Sequence, residues 1–275
     1  MAQGHGQSWS ILGGLRQLGP GFVLDGLRAI LLGERRSLAE DSERVVALMD
    51  PPPRVEGLEL IPPRGPFLLV ANHLQTPDLW VGWIAAAIAH YVAVAREAGG
   101  RELHWISISE WRWFELCGRW VSKPLTSLLF PRVAKVWGLI PTPQRPSDVS
   151  GRARALRQAL GYLRAPARVG GGVAEPVGVF PEGRGTFALG EAMPGSGAFL
   201  YRISALGVPL LPVGVHRDAG VLVIRFGAPF FLGPSPSDER EELDRWAREQ
   251  VMVAIARLLP REMWGYYASA VEPGG

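Results

Sequence analysis

The stretch "LLVANHLQTPDLW" (residues 68–80) decides the architecture. "PFLLVAN" (66–72) is a short apolar run bounded by turn signals, the pattern of a strand buried on both faces. Thr76-Pro77-Asp78 reads as a helix start, with Thr76 as cap and Pro77 in the first turn. The apolar segment that follows runs as a helix toward Arg96, and Gly99-Gly100 stops it. Strand, turn and helix follow one another within thirty-odd residues.

The same alternation extends to both sides. Strands are expected at 102–108, 136–142, 176–183, 208–216 and 220–227. Helices are expected at 114–136 with a break at Pro124, at 148–164, at 195–207 and at 235–260. In the last of these Ser235 and Asp238 have capping-box spacing. Strands separated by helices imply an α/β fold with a mostly parallel central sheet flanked by helices. There is no internal repeat.

Upstream, "DPPPRVEGLELIPPRGP" (50–66) is a proline-rich connector. We place a helical, membrane-docking segment and linker at 1–57 and the α/β domain at 58–275. In the first segment Leu24, Leu27, Ile30 and Leu31 form a stripe with Arg28, Arg35 and Arg36 around it. Two readings stand: a helix packed on the domain, or an interfacial anchor.

Composition excludes several classes. A single cysteine, Cys117, rules out a disulfide framework or a cysteine zinc cluster and suits a reducing, cytoplasmic compartment. Net charge of +3 gives no reason to expect a nucleic-acid partner. No apolar run reaches the roughly 20 residues of a membrane span, so a membrane contact would be peripheral. Trp105, Trp111, Trp113, Trp120 and Trp137 are interleaved with Arg112, Arg119, Lys123, Arg132 and Lys135. That mixture suits an anionic membrane interface, or a core with a solvated arginine rim. Trp80 and Trp83 are expected in the core or lining an acyl tunnel.

Ligands in such sheets sit at the carboxyl ends of strands, and three polar clusters fall there. They are Asn72-His73 with Asp78, Pro141 to Arg145 in "GLIPTPQR", and "FPEGRGT" (180–186). A neutral histidine can take a proton from a hydroxyl if its other ring nitrogen is held as a donor, which a carboxylate does well. The alternative is a histidine on a loop carbonyl and an aspartate helping to cap a helix. In the third cluster Gly183 allows close backbone approach, Arg184 can hold a phosphate, and Glu182 can orient it or bond a hydroxyl. The alternative there is a solvated loop with an internal ion pair.

Taken together, "NHLQTPD", "GLIPTPQR", "VFPEGRGT" and "VPLLPVGV" resemble, in order, the NHxxxxD, arginine, FPEGTRS and VPxxPV blocks of the glycerophospholipid acyltransferases. The resemblance covers roughly residues 58–230. It implies that His73 is the general base and that Asp78 orients it. It also implies that Arg145, Phe180, Pro181, Glu182, Gly183, Arg184 and Thr186 form the acceptor site. The acyl donor would be acyl-CoA or acyl carrier protein as co-substrate, with no other cofactor and no metal. The acceptor would be a lysophospholipid or another lipid alcohol, met at a membrane surface.

The chain departs from the family pattern at Arg184-Gly185-Thr186, where the arginine is displaced by one position. "MPGSGAF" (193–199) lacks the lysine often found there. Fewer cations make a phosphodiester or phosphate-free acceptor more plausible than a phosphomonoester. Ser196 does not sit in the G-x-S-x-G of a serine hydrolase, and "VGGGVAEP" (169–176) has no helix after it to bind a dinucleotide. The remaining rival is a catalytically silent lipid-binding module of the same fold.

Overall fold

The computed structural model describes residues 10–96, 100–109, 113–116, 119–143, 148–164 and 174–272. The strands are β1 (Arg54–Glu56), β2 (Leu68–Ala71), β3 (His104–Ile108), β4 (Trp113–Leu116), β5 (Arg119–Ser122), β6 (Ile140–Thr142), β7 (Val177–Val179), β8 (Leu210–Asp218) and β9 (Val221–Phe226). The helices are α1 (Ile11–Leu32), α2 (Leu38–Ala47), α3 (Val81–Ala95), α4 (Lys123–Trp137), α5 (Val149–Leu163), α6 (Ser196–Ala205), α7 (Arg240–Ala256) and α8 (Ala268–Val271).

Seven strands form one sheet in the order β1-β9-β8-β2-β7-β3-β6. Every neighbouring pair is parallel except the β8–β9 hairpin. The fold is therefore α/β with a mostly parallel sheet. β2 lies at its centre, between β8 and β7, with Ala71 opposite Val213 and Val70 opposite Val179. All four β2 residues are fully buried, which explains why its sequence is a continuous apolar run. α7 packs on β8 and β2, α5 on β3, β6 and β7, and α6 on α7. β8, β2, β7, β3 and β6 all point their carboxyl ends to one side.

The structure corrects three local expectations. α3 begins at Val81, with Trp80 as a cap that makes no side-chain bond. Pro77 and Asp78 instead occupy the two central positions of a turn, closed by the Leu79 N–H on the Thr76 carbonyl at 3.4 Å. Proline pre-sets the backbone for the first of those positions. The expected helix at 114–136 starts only at Lys123, because residues 113–122 form the β4–β5 hairpin, Trp113 opposite Ser122. Trp113, Trp120 and Val121 are β-formers, and this local preference prevails. α7 starts at Arg240, and Ser235 caps its own turn at the Ser237 N–H.

β1, upstream of the expected 57/58 boundary, pairs in parallel with β9 as an edge strand of the main sheet. α1 is kinked at Gly19-Pro20 and packs against α4. Its buried face is Gly14, Leu18, Gly26 and Ala29. Leu24, Leu27 and Leu31 point outward, 64%, 49% and 80% exposed.

Candidate active site

His73 stands two residues beyond the end of β2. Asn72, just before it, extends the ladder with its side chain. The Asn72 amide donates to the Val215 carbonyl at 2.9 Å, and its oxygen accepts from the Val215 N–H at 2.7 Å. The turn after His73 is thereby fixed to β8.

The loop after β7 fixes it from the other side. Glu182 is 1% exposed. Its Oε2 accepts from the His73 backbone N–H at 2.6 Å. Its Oε1 accepts from the Thr186 hydroxyl at 2.8 Å and the Gly190 N–H at 2.7 Å. The Thr186 N–H donates to the His73 carbonyl at 3.0 Å, and the Gln75 N–H to the Thr186 carbonyl at 3.1 Å. Gly183 turns the chain at a φ of +64°, and its N–H closes the turn on the Phe180 carbonyl at 3.0 Å. Pro181 is buried beside it and accepts from the Met193 N–H at 2.9 Å.

Glu182 and Thr186 thus have structural bonds in addition to any contact with an acceptor. These bonds join two loops, and the carboxylate is enclosed. Glu182 holds the backbone of His73. Burial pushes its carboxyl above the usual carboxylate value, against the hydrogen bonds that favour the charged form.

The imidazole of His73 meets the Phe180 ring edge-on at a centroid distance of 5.1 Å. Phe180 in turn stacks on Trp105 at 4.6 Å. Trp105 is 4% exposed and donates to the Ala85 carbonyl at 3.2 Å. It is core rather than membrane interface. Trp137 is tied down as well, donating to Asp41 at 2.7 Å. Trp111 lies outside the described residues. Trp83 is buried against Gly14 and donates to the Ser10 carbonyl at 3.2 Å. Burial lowers the His73 pKa, so the ring is neutral and able to accept a proton at neutral pH.

Asp78 is not bonded to His73. Its Oδ2 accepts from Nη1 of Arg217, at the end of β8, while Nη2 of Arg217 donates to the Gly220 carbonyl at 2.6 Å. Nδ1 of His73 is buried without a hydrogen-bond partner. Partial burial works to raise the Asp78 carboxyl, but Arg217, Thr76 and the turn backbone together hold the group below the usual carboxylate range. The sequence reading missed Arg217. Its only linear signal is a position just past the "VPLLPVGV" block.

Arg184 and Gly183 are exposed on the loop after β7. Arg145 lies outside the described residues. The first turn of α6, where the family's lysine would fall nearby, is closed by Asp244 of α7. That carboxylate accepts from the Gly195 N–H at 2.9 Å and the Ala198 N–H at 2.8 Å.

His73, Asp78, Phe180, Glu182 and Thr186 all lie within one segment, residues 52–216, that matches the family model of the acyltransferases, and Arg217 follows it directly. The chain belongs to the acyltransferase family. No curated protein matches it in sequence. Among solved structures it is similar to the 1-acyl-sn-glycerophosphate (LPA) acyltransferase PlsC from Thermotoga maritima. That likeness is 20% identity over 80% of this chain and 78% of that one, with a TM-score of 0.44. In this acyltransferase His73 and Glu182 come from opposite ends of the matched segment and meet at adjacent strand ends.

Proposed function

We propose that the chain moves a fatty acyl group from the thioester of acyl-CoA or an acyl carrier protein to a hydroxyl of a lysophospholipid or another lipid alcohol. The observation that carries this reading is a neutral, half-buried imidazole at the carboxyl end of the central strand, with its backbone clamped by Glu182. His73 takes the proton of the acceptor hydroxyl as its oxygen attacks the thioester carbonyl. The tetrahedral adduct collapses, the C–S bond breaks, and the proton passes to the departing sulfur. Asp78 serves by bonding Nδ1 of His73, which requires its carboxylate to turn away from Arg217. Arg184, exposed on the loop after β7, is placed to meet an anionic acceptor headgroup.

The acceptor is taken from a membrane surface. Leu24, Leu27 and Leu31 of α1, with Leu128 of α4, are exposed on two helices that pack together. A partly apolar surface rimmed by Arg28, Arg132 and Lys135 suits the headgroup region of an anionic bilayer. Among the described residues no helix is long and apolar enough to cross a membrane.

The test is thiol release from acyl-CoA with a panel of lysophospholipids, glycerol 3-phosphate and neutral lipid alcohols. His73→Ala lowers turnover by about a hundredfold or more, the effect of losing a general base. Equal thiol release by the wild type and His73→Ala excludes this mechanism and leaves a silent lipid-binding module.

A further inference from the structure

Two groups have a claim on one carboxylate. Asp78 sits at the centre of the turn after β2, and Arg217 at the end of β8, the strand beside β2. The structure pairs these two and leaves Nδ1 of His73 buried and unpartnered. An ion pair whose carboxylate side chain is 45% exposed contributes little. A buried ring nitrogen without a partner carries a cost of its own, which the move of Asp78 to His73 would relieve. The two arrangements, Asp78 on Arg217 and Asp78 on His73, are therefore close enough in free energy for a ligand to choose between them.

Arg217 is suited to receive that ligand. Its bonds to Asp78 and Gly220 use two of five N–H donors, and its side chain is 29% exposed. A guanidinium binds phosphate through paired N–H donors as it does a carboxylate, so a substrate phosphate can take the place of Asp78 on it.

We propose that Arg217 gates the base: it holds Asp78 away from His73 until a phosphate group of a substrate occupies the guanidinium and releases Asp78 to Nδ1 of His73. This rests on the acyltransferase reading of His73. It makes Arg217 a positioning and specificity residue, because turnover then depends on a phosphate in the right place. The phosphate can belong to the acceptor headgroup or to the donor carrier, since both present the same chemistry.

The gate is tested apart from activity by following the His73 imidazole in an NMR pH titration, assigned by loss of its signal in His73→Gln. Of the charged groups on the loops about His73, Glu182 bonds its backbone and Arg184 acts on Glu182. Both are unchanged in every variant used. Arg217→Met raises the His73 pKa by about one pH unit, the effect of a new carboxylate neighbour. Inorganic phosphate does the same to the wild type, and adds nothing to Arg217→Met. Asp78→Asn, alone with phosphate or combined with Arg217→Met, abolishes the rise. A rise that survives Asp78→Asn, or no rise at all, overturns the gate.

Kinetics then identify the phosphate. Arg217→Met raises KM about tenfold for the phosphate-bearing partner while kcat stays within about threefold. Arg217→Lys recovers part of the loss. The KM of a phosphate-bearing acceptor rises if the acceptor supplies the group. If the donor supplies it, the KM of acyl-CoA rises and that of an acyl-N-acetylcysteamine thioester does not. A fall in kcat with both KM values unchanged makes Arg217 a mere anchor for Asp78 and sinks the proposal. Absence of all thiol release refutes the acyltransferase reading and leaves the NMR result to judge the gate.

Discussion

The backbone N–H of His73 donates to Oε2 of Glu182 at 2.6 Å, across 109 positions of sequence. This bond joins the loops after β2 and β7 and sets where the imidazole stands. Glu182→Gln replaces one acceptor oxygen by an amide that faces N–H donors. It destabilises the fold by about 1–3 kcal/mol and lowers turnover more than it alters substrate KM. Chemical denaturation and thiol release measure both, and unchanged stability counts against the clamp.

Glu182 also predicts a pH slope. Burial places its folded pKa above the ordinary 4.5. The folded state then holds the proton more tightly than the unfolded chain, so stability falls as pH rises from 4.5 through the raised value. Glu182→Gln lacks that slope. Parallel stability curves for the two proteins over this window would show that the carboxyl is not perturbed.

His73 has the opposite sign. Burial places its folded pKa below the ordinary 6.5. The unfolded chain binds the proton first, so the His73 contribution to stability is lost as pH falls from 6.5 through the lowered value. The acid limb of kcat/KM, which reports the free enzyme, lies below 6.5 for the same reason. A limb at or above that value would mean that the ring is not the buried, uncharged base described above.

The leucine stripe gives a binding prediction. Changing Leu24, Leu27 and Leu31 to serine removes exposed apolar surface and leaves the buried face of α1 intact. Flotation with anionic vesicles falls severalfold, and stability changes by no more than about 0.5 kcal/mol per site. Undiminished flotation would assign membrane contact to another surface.

Gly178 supports the site from below. A Cβ at this β7 position would lie 2.7 Å from the Trp105 ring, which carries Phe180 and through it the edge of His73. Gly178→Ala costs about 1–3 kcal/mol by overpacking and lowers kcat by shifting Phe180. Near-ultraviolet circular dichroism reports the displaced tryptophan, and wild-type values in both assays would mean that the stack does not depend on a glycine here.

Much of this was legible along the chain. The unbroken apolar residues of β2 determined a strand buried on both faces, and the alternation around it determined an α/β sheet, because periodicity and turn residues act locally. The position of His73 just past a strand end followed from the same local rules. The hairpin at β4–β5 was misread because short apolar runs suit helix and strand alike, and strand pairing decided between them.

The partners of the polar side chains were decided only by tertiary structure. Asp78 is five residues from His73, yet it meets Arg217, 139 positions away, because β8 lies beside β2. Nothing along the chain tells that Glu182 bonds the backbone of His73, which follows from β7 lying on the other flank of β2. Trp105 reads equally as a membrane anchor or as core until Gly178 is found to leave space for its ring inside the fold. Sequence spacing determines which face or strand end a side chain occupies. The order of strands in the sheet, set by contacts between distant segments, determines what that side chain touches.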